Sequence, residues 1–397
     1  MKTVRIIILG CLLPALMVSG IRAAEFSGVI GMEYSHYINT PLHADQERHD
    51  GSIYFQPEFY HRWNNGSALT VVPFARIDSA DEERNHFDIR ELNYLWVGNH
   101  CEMLIGAAKV FWGVTEFVHL VDIINQTDLI EDIDGESKLG QPMARFTWLS
   151  DRGNVHIFVL PLFRERTFPG KAGRLRTALA VDTQRADYES DDEERHVDTA
   201  IRYSHYIGNF DLGLYHFRGT GREPLLQPSV DSEGRPILIP YYRQIHQTGL
   251  DLQWVYGQWL FKTEAIYLSS TLEDYYAAVG GFEYTWVGIA DTHLDLGLVM
   301  EYSYDDRGEN ASNAYANDII GGLRLAFNNP AGTDILIGMA YDLDNGSKNI
   351  RLEAGHRLND HWKLELESVF FLDPSEGDIL YDFRHDDYVR LTLNYHY

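Results

Sequence analysis

From about residue 25 onward, apolar and polar residues alternate one by one in segment after segment. Ile53, Phe55, Pro57, Phe59, His61 and Trp63 form one row, and Tyr54, Gln56, Glu58, Tyr60 and Arg62 form the other. Val155, Ile157, Val159, Pro161 and Phe163 make a second apolar row. Leu250, Leu252 and Trp254 oppose Asp251 and Gln253, while Leu294, Leu296, Leu298, Met300 and Tyr302 oppose Asp295, Gly297 and Glu301. Ile335, Ile337, Met339, Tyr341 and Leu343 repeat the pattern, as do Trp362, Leu364 and Leu366 against Lys363, Glu365 and Glu367. Period two predicts strands with two unlike faces, and no amphipathic helix of comparable length competes with them.

The links between these segments alternate in length. Short polar links rich in Gly, Asn and Asp fall at Asn64-Asn65-Gly66, Gly98-Asn99-His100, 151–154, Gly208-Asn209, Tyr256-Gly257, 288–291, 328–332 and Asn359-Asp360, as tight hairpins require. Longer polar stretches lie between them at 38–50, 78–84, 112–140, 164–194, 220–240, 305–316 and 373–386. Two links on that side, near 271–274 and 345–347, are short. Counting from a first strand near residue 26, every tight turn falls at one end and every long loop at the other. The tally is about eighteen strands, within a range of 16–20. An even count of strands with sorted loops predicts an antiparallel up-and-down transmembrane barrel with short periplasmic turns and long extracellular loops. Closure removes the sheet edges that lipid cannot satisfy, and a barrel of this size encloses water rather than a packed core.

The last strand is the clearest. Val389, Leu391, Leu393, Tyr395 and Tyr397 fall on one face, with Tyr388, Arg390, Thr392, Asn394 and His396 on the other. An alternating strand ending the chain on an aromatic, with another two positions earlier, resembles the closing strand of a bacterial outer-membrane β-barrel. It departs from the common ending in having Thr392 where glycine is frequent. The resemblance implies that Leu393, Tyr395 and Tyr397 are read by the barrel assembly machinery. With the alternating strands and loop asymmetry, the chain resembles the porin-like superfamily.

The other end agrees. Lys2 and Arg5 precede a largely apolar stretch, Ile6 to Val18, and small residues follow at Ala23 and Ala24. That pattern predicts a secretory signal peptide over 1–23, leaving 24–397 as one domain. Ile8-Leu9-Gly10-Cys11 faintly resembles a lipoprotein cleavage box, but the residues after Cys11 stay apolar. No plug segment precedes the first strand, which disfavours a TonB-dependent receptor. Mean hydropathy is −0.28, which alternate-residue strands accommodate. The 24 Tyr, 19 Phe and 8 Trp suit interfacial aromatic girdles. With Cys11 removed, Cys101 is alone and no intrachain disulfide forms. Net charge is −26, and loss of Lys2, Arg5 and Arg22 would take it to −29. Such a balance argues against nucleic-acid binding and suits a rim among outer-membrane lipids and lipopolysaccharide, where divalent cations bridge phosphates, and equally a role in solubility.

If the apolar row faces lipid, the polar row faces water. The inward charges are then Glu58, Arg90, Arg145, Arg202, Asp251, Lys262, Glu264, Glu283, Asp295, Arg324, Arg351, Glu353, Lys363, Glu365, Glu367 and Arg390. Arg90, Arg145 and Arg202 are expected to form a basic wall, and Asp251, Glu264, Glu283 and Asp295 an acidic one. Together they would set a field across the lumen, although any hydrated lumen also holds charges that pair with each other. The segment 112–140 carries Glu116, Asp122, Asp128, Glu131 and Asp132 interleaved with Phe117, Val118, Leu120, Val121, Ile123 and Ile124. That mix predicts a loop folded into the barrel as a constriction, and it resembles the third loop of porins in position and acidity; packing over the barrel mouth is the alternative.

Remaining candidates are weaker. The tract Asp187 to Glu194 is acidic but lacks the spacing and glycine of a calcium loop. His205 and His356 sit on apolar rows near strand ends, and His36, His43 and His49 lie in or beside the first loop. No HExxH or GxSxG motif occurs. A barrel enzyme of lipase or protease type would need distant groups to meet, for example Asp305, Asp306 and His385 at the rim. The expected function is an outer-membrane porin-like channel for small hydrophilic solutes, without cofactor or metal. The alternatives are a selective channel or exporter for acidic oligo- or polysaccharides, and a barrel enzyme.

Overall fold

The computed structural model describes residues 24–397; the segment read as a signal peptide lies outside the described residues. The strands are β1 (Glu25–Tyr37), β2 (His49–Arg62), β3 (Ala68–Asp78), β4 (His86–Val97), β5 (Cys101–Ala108), β6 (Gln141–Trp148), β7 (Asn154–Leu160), β8 (Asp187–Tyr188), β9 (Asp198–Ile207), β10 (Phe210–Thr220) and β11 (Leu225–Val230). They continue as β12 (Pro236–Tyr242), β13 (Gln244–Tyr256), β14 (Trp259–Ser270), β15 (Asp274–Trp286), β16 (Asp295–Asp305), β17 (Asn317–Ala326), β18 (Asp334–Asp342), β19 (Lys348–Arg357), β20 (Trp362–Leu372) and β21 (Tyr388–His396).

Eighteen of these form one sheet in which each strand pairs antiparallel with the next. β21 closes on β1, with Leu393 opposite Met32 and Arg390 opposite Ser35. The sheet is thus a closed up-and-down barrel with the strand number expected from the alternation. β8, β11 and β12 form a separate small sheet in the connections after β7 and β10. All eight expected tight turns connect strand pairs at one end, and the longer connections lie at the other. Gly208 and Gly257 each have φ of +63 at two-residue hairpins, the conformation that a twisted tight turn demands. The β2–β3 ladder has no pairs between Phe55 and Phe59, where Pro57 lacks an N–H to donate.

The predicted lipid row is outward and exposed, with Phe26, Ile53, Phe55, Ile105, Leu214, Leu323, Ile337 and Leu391 among it. The inward row differs from expectation. It holds Phe158, Tyr215, Phe217, Ile245, Leu268 and Ile320, all nearly inaccessible. These residues are not wetted because the connection between β5 and β6 packs on them. Trp112, Val121 and Ile124 of that connection share one apolar cluster with Phe158, Phe217 and Ile266, and Val118 shares another with Val279, Ile320 and Ala340. The barrel therefore contains a core, built by a loop inside it. Phe163, counted with a lipid row from its period, lies past the end of β7 and is buried.

Candidate functional site

The 109–140 connection leaves the wall at β5 and rejoins it at β6. Asn125 clamps its two stems: its Oδ1 accepts from Val110 N (2.8 Å), and its Nδ2 donates to Ala108 O (2.9 Å) and Leu139 O (2.8 Å). Trp112 packs against Phe158 and Tyr215, with ring centroids at 5.4 and 4.9 Å, and lies under the Arg202 guanidinium.

Two wall carboxylates then hold the loop by its backbone. Glu264 on β14 is fully buried. Its Oε1 accepts from Val114 N (2.7 Å) and Thr115 N (3.1 Å), and its Oε2 from Val121 N (3.2 Å). Glu301 on β16 accepts from Glu116 N (2.6 Å) and Phe117 N (3.1 Å). Three or more amide donors converging on one carboxylate satisfy its charge without a cation. Phe117 reaches β17 and β18, where Gly322 faces Gly338. A Cβ on either glycine would meet the ring at 3.1 or 3.4 Å, so glycine at both positions seats the aromatic.

The acidic residues singled out in the loop are tied to different parts of the wall. Glu116 pairs with Arg324 and lies 3.6 Å from Lys262. Asp122 accepts from Trp112 N and pairs with Lys138 at 3.2 Å. Asp128, wholly buried, accepts from Arg90 Nη1 and Thr167 Oγ1, both at 2.6 Å. Glu131 accepts two bonds from Arg76 (3.0 and 2.7 Å), and Asp132 one from Arg390 (2.6 Å). Asp134, at the loop's far tip, accepts from Arg351 Nη2 at 2.9 Å.

The residues assigned to opposing walls are largely absorbed by such contacts. Arg90 is taken up by Asp128 and Asp88. Arg202 reaches past Gly213 to Asp251 with two bonds of 2.7 and 2.8 Å, so one member of the basic set neutralises one of the acidic set. Arg145 has no carboxylate in ion-pairing range among the described residues, and its buried Nε lacks a partner. Glu264 lies beneath the loop, and Glu283 pairs with Lys262. Asp295 braces a tight turn, accepting from Gly288 N and Asn328 Nδ2 at 2.8 Å each. At the closing strand, Tyr395 packs on Trp362 (4.9 Å) and Tyr397 on Phe26 (5.6 Å).

Above the loop, toward the long-connection end, opens a cavity of about 930 Å³. Glu116, Phe117 and Asp134 from the loop, and Arg324, Arg351 and Glu353 from the wall, border it. Arg324 and Arg351 are thus the wall arginines that reach open space. The inward alternation marks both, but nothing local separates them from Arg90 and Arg202, whose partners lie far away in sequence. Burial opposes ionisation of Asp132, yet the Arg390 and Arg351 guanidiniums outweigh it and hold its pKa down. Burial, reinforced by the Asp132 charge, pushes Asp134 up to about 7.

A pH dependence follows. Between pH 8 and 6 Asp134 takes up a proton, which removes one negative charge beside Arg351, Glu136 and Glu353. If the barrel conducts, reversal potentials in a salt gradient should shift toward anion preference over that range. Asp134→Asn should show the shifted value already at pH 8; an unchanged pH response in that variant would refute the assignment.

His86, Asp128 and Glu131 bring ligand atoms within 4.8 Å of one another, but Arg76 and Arg90 already occupy the two carboxylates. A cation there would displace two guanidiniums. Asp305 is held by Arg307 and Asn313, Asp306 accepts from Tyr276 N, and His385 Nδ1 bonds Thr40 O. None of the three bonds another, so they form no acid–base pair. The acidic tract after Asp187 lies in an exposed 3₁₀ turn, Glu193–Arg195, and its flank.

No family model and no curated protein matches this sequence. Solved structures do resemble it. Pseudomonas aeruginosa OccK2 (OpdF), in complex with glucuronate, superposes with a TM-score of 0.53 at 12% identity, over 94% of this chain and 97% of that one. OmpT, an outer membrane protein of Vibrio cholerae, gives 0.45 at 8% identity, over 94% and 99%. A mutant of the Rh. blastica porin gives 0.44 at 11%, over 94% and 100%. At these identities the likeness is one of fold. The chain is a closed eighteen-stranded antiparallel β-barrel, similar in fold to the solved structure of OccK2.

Proposed function

We propose that this protein is a channel of the Gram-negative outer membrane, through which small hydrophilic solutes diffuse passively past a constriction formed by the 109–140 loop. The observation that carries the reading is the loop's set of attachments: Arg90 on β4, Glu264 on β14, Glu301 on β16, Arg324 on β17, Arg351 on β19 and Arg390 on β21. A loop tied to so many sides of a barrel crosses its interior. Glu116, Asp122, Asp128, Glu131 and Asp132 fix its course, while the Arg324–Glu116 and Arg351–Asp134 pairs border the bore and set charge preference. In this reading residues 1–23 are a cleaved signal, the long connections face outward among lipopolysaccharide, and the assembly machinery reads the terminal strand. No cofactor is needed.

Planar-bilayer recording tests the proposal. The wild type should show ohmic steps, and deletion of residues 116–134 should enlarge them. Equal conductance in both proteins would refute the constriction, and absence of any steps in the wild type would refute the channel. A second reading, selection of acidic oligosaccharides, draws on Arg324 and Arg351 at the bore and on the glucuronate carried by OccK2. It expects the current to be blocked by an acidic oligosaccharide at concentrations where its neutral counterpart has no effect.

A further inference from the structure

His36 is the last residue but one of β1, and His49 is the first of β2. The two stand directly opposite each other in the β1–β2 register. Side chains directly opposite on antiparallel strands project from the same face. Here that face is the outer one, shared with the exposed Ile30, Met32 and Tyr34. The two imidazole rings stack with centroids 4.7 Å apart, and their Nδ1 atoms lie 3.2 Å apart. The Tyr34 hydroxyl lies 2.6 Å from the same His49 nitrogen. Donor atoms from three side chains therefore crowd one spot at the neck of the 38–48 connection.

A single ring nitrogen offers either one lone pair or one proton, so His49 Nδ1 cannot serve both Tyr34 and His36 well. A cation seated among the three groups satisfies all of them at once, and the spacing suits one kind of cation. Zinc binds imidazole nitrogen at about 2.0–2.1 Å in a tetrahedral shell, which sets two such nitrogens roughly 3.3 Å apart. The observed 3.2 Å is close to that spacing, and only the exposed Tyr34 hydroxyl has to draw back. Calcium and magnesium prefer shells of oxygen, so paired imidazoles select against them. A second histidine pair on the outer wall lacks this geometry. His216 and His246 have ring centroids 5.8 Å apart, and His216 Nδ1 is bonded to Thr248 Oγ1 at 2.9 Å.

We propose that His36 and His49 bind a divalent transition ion of the zinc class, with Tyr34 as a third donor and water completing the shell. The ion would staple β1 to β2 at the root of the 38–48 connection. That connection braces its neighbour over the barrel mouth: Gln46 Nε2 donates to Gly173 O at 2.7 Å, and Arg174 Nη1 donates to Glu47 O at 3.2 Å. The site lies on the outer wall and not in the bore, so it is independent of the channel reading.

Calorimetric titration of the untagged, detergent-purified full-length barrel with zinc chloride tests it. Zinc should bind, and calcium at equal concentration should not displace it. His36→Ala and His49→Ala should each weaken zinc at least about tenfold, since each removes one of the two nitrogen ligands. His216→Ala should bind zinc as the wild type does. Copper(II) adds a spectroscopic readout: its electron paramagnetic resonance should carry splitting from two nitrogens in the wild type and from one in either of the first two variants. Zinc should also raise the temperature at which the folded band is lost on semi-native gels, in the wild type and not in His49→Ala. The folded band itself shows that each variant has closed. A wild type that takes up no zinc, a zinc signal displaced by calcium, or His36→Ala and His49→Ala variants that bind as tightly as wild type would each overturn the site.

Discussion

Replacing Glu264 with alanine should release the interior loop and raise the open-channel conductance several-fold, with a noisy current. The carboxylate accepts from three loop amides, at Val114, Thr115 and Val121, and the site is fully buried. Each amide stranded without an acceptor costs about 1–3 kcal/mol, because no water replaces the lost partner. Glu301 holds only the next two amides, so the stretch from Trp112 to Leu120 would lose its main seat. Glu264→Gln keeps the shape and one good acceptor, and should open the bore less. Limited proteolysis gives an independent readout: cleavage between Gly113 and Asp122 should appear in the alanine variant and be weak in the glutamine one. A conductance equal to wild type, with the loop still protected, would show that the apolar contacts alone hold it.

Arg390→Leu should produce the largest loss of barrel stability. The guanidinium sits at the closing seam and bonds Asp132 of the loop (2.6 Å), Glu367 of β20 (3.0 Å) and Ser35 of β1 (3.3 Å). It is almost wholly covered. Removing one partner of a buried ion pair typically costs about 3–5 kcal/mol, because the remaining charges are left uncompensated. Here the orphans are two carboxylates facing one another and, among the described residues, Arg351 is the one guanidinium left in reach of both Glu367 and the loop tip. The temperature at which the folded band is lost on semi-native gel electrophoresis should fall clearly. Adding Asp132→Asn and Glu367→Gln to Arg390→Leu should recover part of it, as a charge explanation requires and a simple packing defect would not.

Much of the barrel was legible because its determinants are local. Alternation at Ile53–Trp63 or Ile335–Leu343 depends on a strand having lipid on one side, and that environment acts on every second residue. The tight turns are equally local: Gly208-Asn209 and Gly257 carry their own backbone requirement. The inward face was harder to read. Phe158, Phe217 and Ile320 occupy lumen positions, and only the presence of a folded loop above them explains their apolarity. Which arginine stays available could not be seen either. Arg90, Arg202, Arg324 and Arg351 look alike along the chain, and their fates depend on carboxylates such as Asp128, Asp251 and Asp134 brought close by closure. The loop did carry a signal in its spacing. Glu116, Asp122, Asn125 and Asp128 recur at multiples of three, and each makes a side-chain contact that fixes the loop.

The meeting of β1 and β21 sets an order of events. These strands are adjacent in space and at opposite ends of the described residues, so among them their pairing closes the longest loop and carries the greatest entropic delay. Asp132 of the interior loop is held by an arginine on that last strand. Until β21 arrives, Asp132 lacks its Arg390 partner, although Arg351 on β19 can already hold Asp134. Sealing the cylinder therefore also completes the attachment of the interior loop to the wall.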